Sequence, residues 1–307
     1  MLVGITLKIL SAFAFTAMAA LIRVVGDTVP TGQVVFARSL FAILPLAIWL
    51  AFRGELKSMF FTKDPRRHLL RCGFGVVGMF LGFAALARLP LPDATVIGYA
   101  APLLTVVFAA LLLGERVRTS RWSAVVVGLV GIIVMLWPRL SDGALANAIA
   151  GGGAGDETAM GVVFGLAAAL LSAGAMIQMR QLAQTEPPGV IVFIFFVVSS
   201  LAGLATLPLG WPELGPRVWT MLVLVGVLGG IGQILMTLSY RVADISTVAP
   251  FDYTSMLWAL LIGWFFLGEL PSGMTLAGAA IVVAAALGLI IHERRLLTAA
   301  AEPKRGD

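Results

Sequence analysis

ATVIGYAAPLLTVVFAALLLGE, residues 94–115, and APFDYTSMLWALLIGWFFLGE, residues 249–269, decide the fold. Each is an apolar run that closes on Leu-Gly-Glu, at Leu113-Gly114-Glu115 and at Leu267-Gly268-Glu269. The two endings lie 154 residues apart in a chain of 307, and at the same offset Tyr99 falls on Tyr253. Each run is about as long as the ~20 residues a helix needs to cross a bilayer. Working outward, ten such segments emerge, at about 3–22, 34–52, 69–88, 94–113, 121–138, 159–179, 189–209, 218–239, 247–267 and 274–291. Five fall in each half. Five is odd, so the second half enters the membrane from the opposite side, which makes an inverted-topology repeat. The expected fold is therefore an all-α polytopic membrane protein of ten transmembrane helices in two inverted five-helix repeats. The boundaries expected are 1–138 for the first repeat, 139–158 for a Gly-rich extracytoplasmic linker, 159–291 for the second repeat and 292–307 for a cytoplasmic tail.

Composition agrees. The chain is 60% hydrophobic and 12% charged, with a mean hydropathy of +1.00, against about 45–50% apolar and about 25% charged in a soluble domain. The formal charge of +5 does not signal nucleic acid, because the basic residues sit between apolar runs as topology signals do. Of 21 Lys and Arg, Lys8 and Arg38 fall within spans and Arg23, Arg88, Arg139 and Arg217 in loops on one side; the remaining fifteen lie on the other. That bias places both termini in the cytoplasm of a bacterial inner membrane. No cleavable signal peptide is expected, since the first run lacks a basic leader and an A-x-A site. A single cysteine, Cys72, rules out an internal disulfide.

These residues resemble the EamA-type members of the drug/metabolite transporter superfamily. The likeness is carried by Phe36-Ala37-Arg38, by Ala94 to Glu115, and by Ala249-Pro250-Phe251-Asp252-Tyr253-Thr254 running to Glu269. It covers essentially the whole chain. It implies a central cavity lined mainly by the first four helices of each half, and transport of amino acids, nucleobases, riboflavin, drugs or other metabolites. Within the family the chain looks most like bacterial amino-acid exporters, with riboflavin-type importers close behind.

Charges inside a membrane cost roughly 2.5–3.5 kcal/mol on insertion scales, so each needs an explanation. Asp252, early in the ninth span, is the candidate for binding a substrate ammonium or carrying a coupling proton; the alternative is a wetted acid or one paired with Arg241. Arg38, early in the second span, is a carboxylate ligand or a structural residue. The structural reading, in which it snorkels or pairs with Asp27 or Asp93, is the expectation. Lys8 is expected to snorkel. Glu115 and Glu269 are expected to fix helix ends, by accepting amides of the following span or by pairing with an arginine. Thr95, Tyr99, Gln178, Gln233, Tyr253 and Trp258 complete the candidate substrate cavity, since a site for amphipathic molecules needs apolar walls and few polar groups. Tyr99 and Tyr253 are expected to face the symmetry axis, and Tyr240 an aromatic belt.

Two motifs mislead. Gly73-Phe74-Gly75-Val76-Val77-Gly78 has dinucleotide-loop spacing but lies inside a span with no preceding strand, so it reads as close helix packing. Gly151-Gly152-Gly153-Ala154-Gly155 lacks the Gly-Lys-Ser/Thr of a phosphate loop and reads as linker. With His68 and His292 on different helices and no metalloprotease or nucleophile motif, a membrane-embedded enzyme is a distant alternative. No metal or cofactor is called for. The expected partners are a small-molecule substrate and the bilayer, not nucleic acid, in a monomer or homodimer. The fifth and tenth spans carry small-residue faces that can pack the halves or dimerise.

Overall fold

The structure, a computed structural model, describes residues 2–114, 117–141, 157–243 and 248–301. The Gly-rich linker and Glu115 fall outside the described residues. The described residues form helices α1 (Leu2–Val25), α2 (Thr31–Phe52), α3 (Pro65–Arg88), α4 (Leu91–Gly98), α5 (Ala100–Leu113), α6 (Thr119–Ser141), α7 (Glu157–Leu182), α8 (Pro188–Leu204), α9 (Pro216–Val242), α10 (Thr254–Leu267) and α11 (Gly273–Ala301). Among the described residues nine stretches are long and apolar enough to span a membrane, and Phe251–Leu267 is a shorter tenth. Prolines open α3, α8 and α9, where the missing N–H costs nothing. The Asp64 side chain caps α3 by accepting from the Arg67 amide. Helix α11 runs past residue 291 to Ala301, so the tail expected from 292 begins as helix.

The fourth and ninth spans are interrupted, where the sequence reading made them continuous. Helix α4 ends at Gly98 and α5 begins at Ala100, with Tyr99 between at φ −68°, ψ −8°. In the second half a 3-10 turn, Ala249–Tyr253, precedes α10, and Tyr253 has φ −70°, ψ −10°. Pro102 accounts for the first break, having no N–H to give the Gly98 carbonyl four residues back. Pro250 stands in the first turn of the 3-10 segment, where a missing N–H costs nothing. The matched Leu-Gly-Glu endings are matched in geometry too. Gly114 at φ +63° and Gly268 at φ +67° cap α5 and α10 in the left-handed region, which a side chain would disfavour.

The halves are interlocked rather than side by side. Helix α3 packs along α7 and α1 along α9, two contacts that exchange under the inverted repeat. Helices α4 and α5 lie against α7 as the 3-10 turn and α10 lie against α1. On the axis itself, α2 meets α8 and α6 meets α11. The last crossing settles how the small faces of the fifth and tenth spans are used within the chain. A Cβ on Gly278 would lie 2.5 Å from the Gly131 carbonyl oxygen, and one on Gly131 2.8 Å from that of Gly278. Gly278→Ala is therefore expected to destabilise by about 1–3 kcal/mol, as overpacking does. Gly288→Ala on the same helix, with nothing within 4 Å of the new Cβ, should be neutral or slightly stabilising. Melting of the two purified variants in detergent checks the contrast.

Candidate functional site

A cavity of about 420 Å³ opens where the two halves meet. Its walls come from α1 to α5 of the first half and α7 and α8 of the second. Small residues make the space: Gly75, Gly78 and Gly82 on α3, Ala94 and Gly98 on α4, Gly165 and Ala168 on α7. Two of the three glycines of the dinucleotide-like spacing thus serve close packing, while Gly73 has open space around an added Cβ. A Cβ on Gly75 would lie 2.8 Å from the Phe195 ring, and one on Gly78 3.3 Å from Leu171.

Arg38 is the charged side chain in this wall. It neither snorkels nor pairs with Asp27 or Asp93, as expected of a structural arginine. It is 7% exposed. Asp27 lies 3.7 Å from Arg23 instead, and Asp93 accepts from the Thr275 hydroxyl at 2.7 Å. The Arg38 guanidinium sits 4.9 Å from the centre of the Phe196 ring, and its Nε and Nη1 have no hydrogen-bond partner. Thr95 also lines the cavity, donating its hydroxyl to the Leu91 carbonyl at 2.8 Å.

The remaining candidates group differently. Tyr99 and Tyr253 do meet across the repeat, with ring centres 5.0 Å apart, and the Tyr99 hydroxyl bonds Ser255 Oγ at 2.7 Å. Their rings join the core between the halves. Asp252 takes its partner from the first span: Lys8 Nζ lies 2.7 Å from its Oδ1. Lys8 does not snorkel, being 1% exposed, because the 3-10 turn brings a carboxylate to it. The side chains of Tyr240 and Arg241 lie outside the described residues. Trp258 packs edge-on to Phe13 at 5.1 Å. Gln233 lines a separate narrow groove with Trp49 and Val192. Gln178 is half-buried on α7 and is not among the residues that line the cavity.

Polar ties between the halves close both ends of the fold. At one end Glu269 receives Arg23 Nε at 3.0 Å and the Leu91 amide at 2.7 Å. It pairs with an arginine, as expected, but the amide comes from α4 of the other half and not from the following span. The reason is that the α4 N-terminus, with its free amides, abuts the end of α10. Arg88 and Glu157 pair at 2.7 Å at the same end. At the opposite end, beside the Lys8–Asp252 pair, lies a tie the sequence did not disclose. Glu186, 4% exposed, accepts from the Thr62 hydroxyl at 2.7 Å and from the amides of Lys63 and Asp64. His68 Nε2 stands 3.9 Å away. Burial pushes the Glu186 carboxyl up, but these donors together outweigh it and hold the group below its ordinary value. Its stabilisation is thus complete above the unfolded carboxylate range, about pH 4.3, and is lost as pH falls through the lower folded value. Glu186→Gln should remove that acid-side loss, read as a flatter stability profile below about pH 5. Among the described residues no cluster of His, Cys, Asp and Glu could hold a metal ion.

Ten apolar spans in two interlocked inverted halves, with a cavity between them, define a multi-pass membrane protein of the transporter class. The sequence matches the EamA-like transporter family over residues 2–137 and 159–291, one stretch in each half, and the chain belongs to that family. It is 29% identical to the pseudopaline exporter CntI of Pseudomonas aeruginosa, covering 93% of this chain and 95% of that one. It is 30% identical to a riboflavin transporter of Rhizobium johnstonii over 76% of this chain and 73% of that protein. An S-adenosylmethionine uptake transporter of Rickettsia bellii is 25% identical over 96% of both. A solved crystal structure with 23% identity superposes with a TM-score of 0.65, covering 95% of this chain and 98% of the other. It bears on the fold alone.

Proposed function

We propose that this protein exports small metabolites, foremost amino acids, across a bacterial inner membrane by alternating access, with both termini in the cytoplasm. The observation that carries the reading is the cavity of about 420 Å³ between the inverted halves, within the ~300–1,000 Å³ of small-molecule sites. Its walls are apolar and small, with one buried cation and a few hydroxyls, which suits a compact amphipathic molecule. The ties between halves sit at both ends, so breaking one set while keeping the other would expose the cavity to one side at a time. The Lys and Arg bias places the Glu269 tie at the outer face and the Lys8–Asp252 and Glu186 ties at the inner face. The relative named as a pseudopaline exporter supports outward transport of a metabolite. On this reading the protein is a carrier and not an enzyme, and Asp252 is the carboxylate placed to carry a coupling proton.

Flux in proteoliposomes tests this. Labelled phenylalanine and leucine should show saturable counterflow that riboflavin and S-adenosylmethionine do not suppress. Riboflavin flux without amino-acid flux would keep the carrier and remove the substrate class.

A further inference from the structure

Two cations, Arg38 buried and Arg71 half-buried, stand without a counter-charge among the described residues. Arg38 lies over Phe196 at 4.9 Å and Arg71 over Phe195 at 4.2 Å. The two phenylalanines are neighbours on α8, with ring centres 6.3 Å apart. On both arginines Nε and Nη1 lack a hydrogen-bond partner, and among the described residues neither forms an ion pair, although Arg71 has the Cys72 thiol beside it. Ring faces attract cations, but only by about 0.5–2 kcal/mol each, and they leave N–H donors unsatisfied. A buried guanidinium with open donors is a standing cost unless an anion completes it. The two are close enough for their charges to repel, which raises that cost and makes the local potential positive. Arg38 lines the cavity and Phe195 separates Arg71 from it.

We infer that Arg38 is the specificity-determining residue of the cavity, binding the carboxylate of the transported molecule, with the Arg71 charge reinforcing it from behind Phe195. The inference rests on the transporter reading and deepens it. A carboxylate matches the guanidinium in geometry and charge and makes the strong class of hydrogen bond. The α4 wall suits the other end of an amino acid. The Thr95 hydroxyl spends its proton on Leu91 and so faces the cavity as an acceptor. Gly98 also lines the wall, and its carbonyl receives no amide from Pro102. Both can receive an ammonium group. The site therefore selects carboxylates over their esters and amides, because an uncharged oxygen leaves the guanidinium unmatched.

The test uses the full chain, wild type, Arg38→Met and Arg38→Lys. In proteoliposomes phenylalanine should move, while its methyl ester and phenethylamine compete at least about tenfold more weakly. Arg38→Met should raise KM for phenylalanine about 10–100-fold, the loss of one charged hydrogen-bonding partner, and let the ester compete as well as the acid. Arg38→Lys, which keeps the charge but not the fork, should fall between. Melting without ligand separates this role from a structural one. Arg38→Met should melt no lower than wild type, since it removes an unmatched buried charge, whereas a merely structural arginine would lose stability. Unchanged KM in a folded Arg38→Met, or equal competition by acid and ester in wild type, overturns the inference. If wild type moves no amino acid, the substrate reading falls by itself. The inference is then read from thermal stabilisation by 3-phenylpropionate against its amide, which should appear in wild type and vanish in Arg38→Met. Equal stabilisation by acid and amide overturns it.

Discussion

Asp252→Asn should lower the stability of the purified protein by about 3 kcal/mol, and Lys8→Met should cost clearly less. The two sides of this ion pair are unequal. Lys8 Nζ is 2.7 Å from Asp252 Oδ1, and the side chains are 1% and 51% exposed. Removing the acid takes from a buried ammonium the carboxylate 2.7 Å away, the expensive way to break a pair. Removing the lysine leaves a carboxylate with half its surface open to rehydration. The double variant Lys8→Met/Asp252→Asn should recover most of the loss, because the buried ammonium that lost this carboxylate is gone too. Melting of the four proteins closes the cycle; equal single-variant losses with no recovery would show that the two residues do not act as a pair. Function adds a second readout. If Asp252 carries the coupling proton, Asp252→Asn removes the pH dependence of flux. A dependence retained in that variant assigns the proton elsewhere.

Glu269→Ala should open the end of the molecule that Glu269 ties. The carboxylate joins three elements: α10 of the second half through its own backbone, α1 through Arg23, and α4 through the Leu91 amide. Leu91 is fully buried, so its N–H has no ready substitute for the lost acceptor. An unmatched buried amide costs about 1–3 kcal/mol and a charged hydrogen bond is worth about 1.5–3 kcal/mol. A combined loss of about 3 kcal/mol against the closed end shifts the balance between the two access states roughly 100-fold. The measurement is labelling by a membrane-impermeant thiol reagent. A cysteine at Leu86, which lines the cavity, is placed in a Cys72→Ser background. Labelling from the outer face should rise sharply in Glu269→Ala and less in Glu269→Gln, which keeps an acceptor for Leu91 but loses the charge for Arg23. Unchanged labelling would make Glu269 a helix-end residue only.

Much of the architecture was readable along the chain because lipid is a demanding solvent. Every spanning segment must satisfy its backbone internally, so apolar runs of helical length announce themselves. The Gly114 and Gly268 endings recur with the same left-handed caps because the same turn ends the same span in each half. The placing of Tyr99 opposite Tyr253 followed from the repeat, and their rings pack against each other with centres 5.0 Å apart and planes tilted by 58°. The breaks at those tyrosines escape the hydropathy pattern, although Pro102 marks the first of them. Hydropathy is insensitive to a lost hydrogen bond, and both sides of each break stay apolar.

What the sequence by itself determined is the class of fold: ten spans, two inverted halves and a family. These depend on composition, spacing and local caps, all short-range properties. Only the tertiary structure decided which charges meet. Lys8 finds Asp252 from the other half of the chain, Glu269 finds Leu91, Glu186 gathers donors from the loop before α3, and Arg38 finds no hydrogen-bond partner for its Nε and Nη1 among the described residues. Such pairings arise from how interlocked helices bring distant turns together. The cost of burying a charge depends on what lies within a few ångströms, which no linear pattern records.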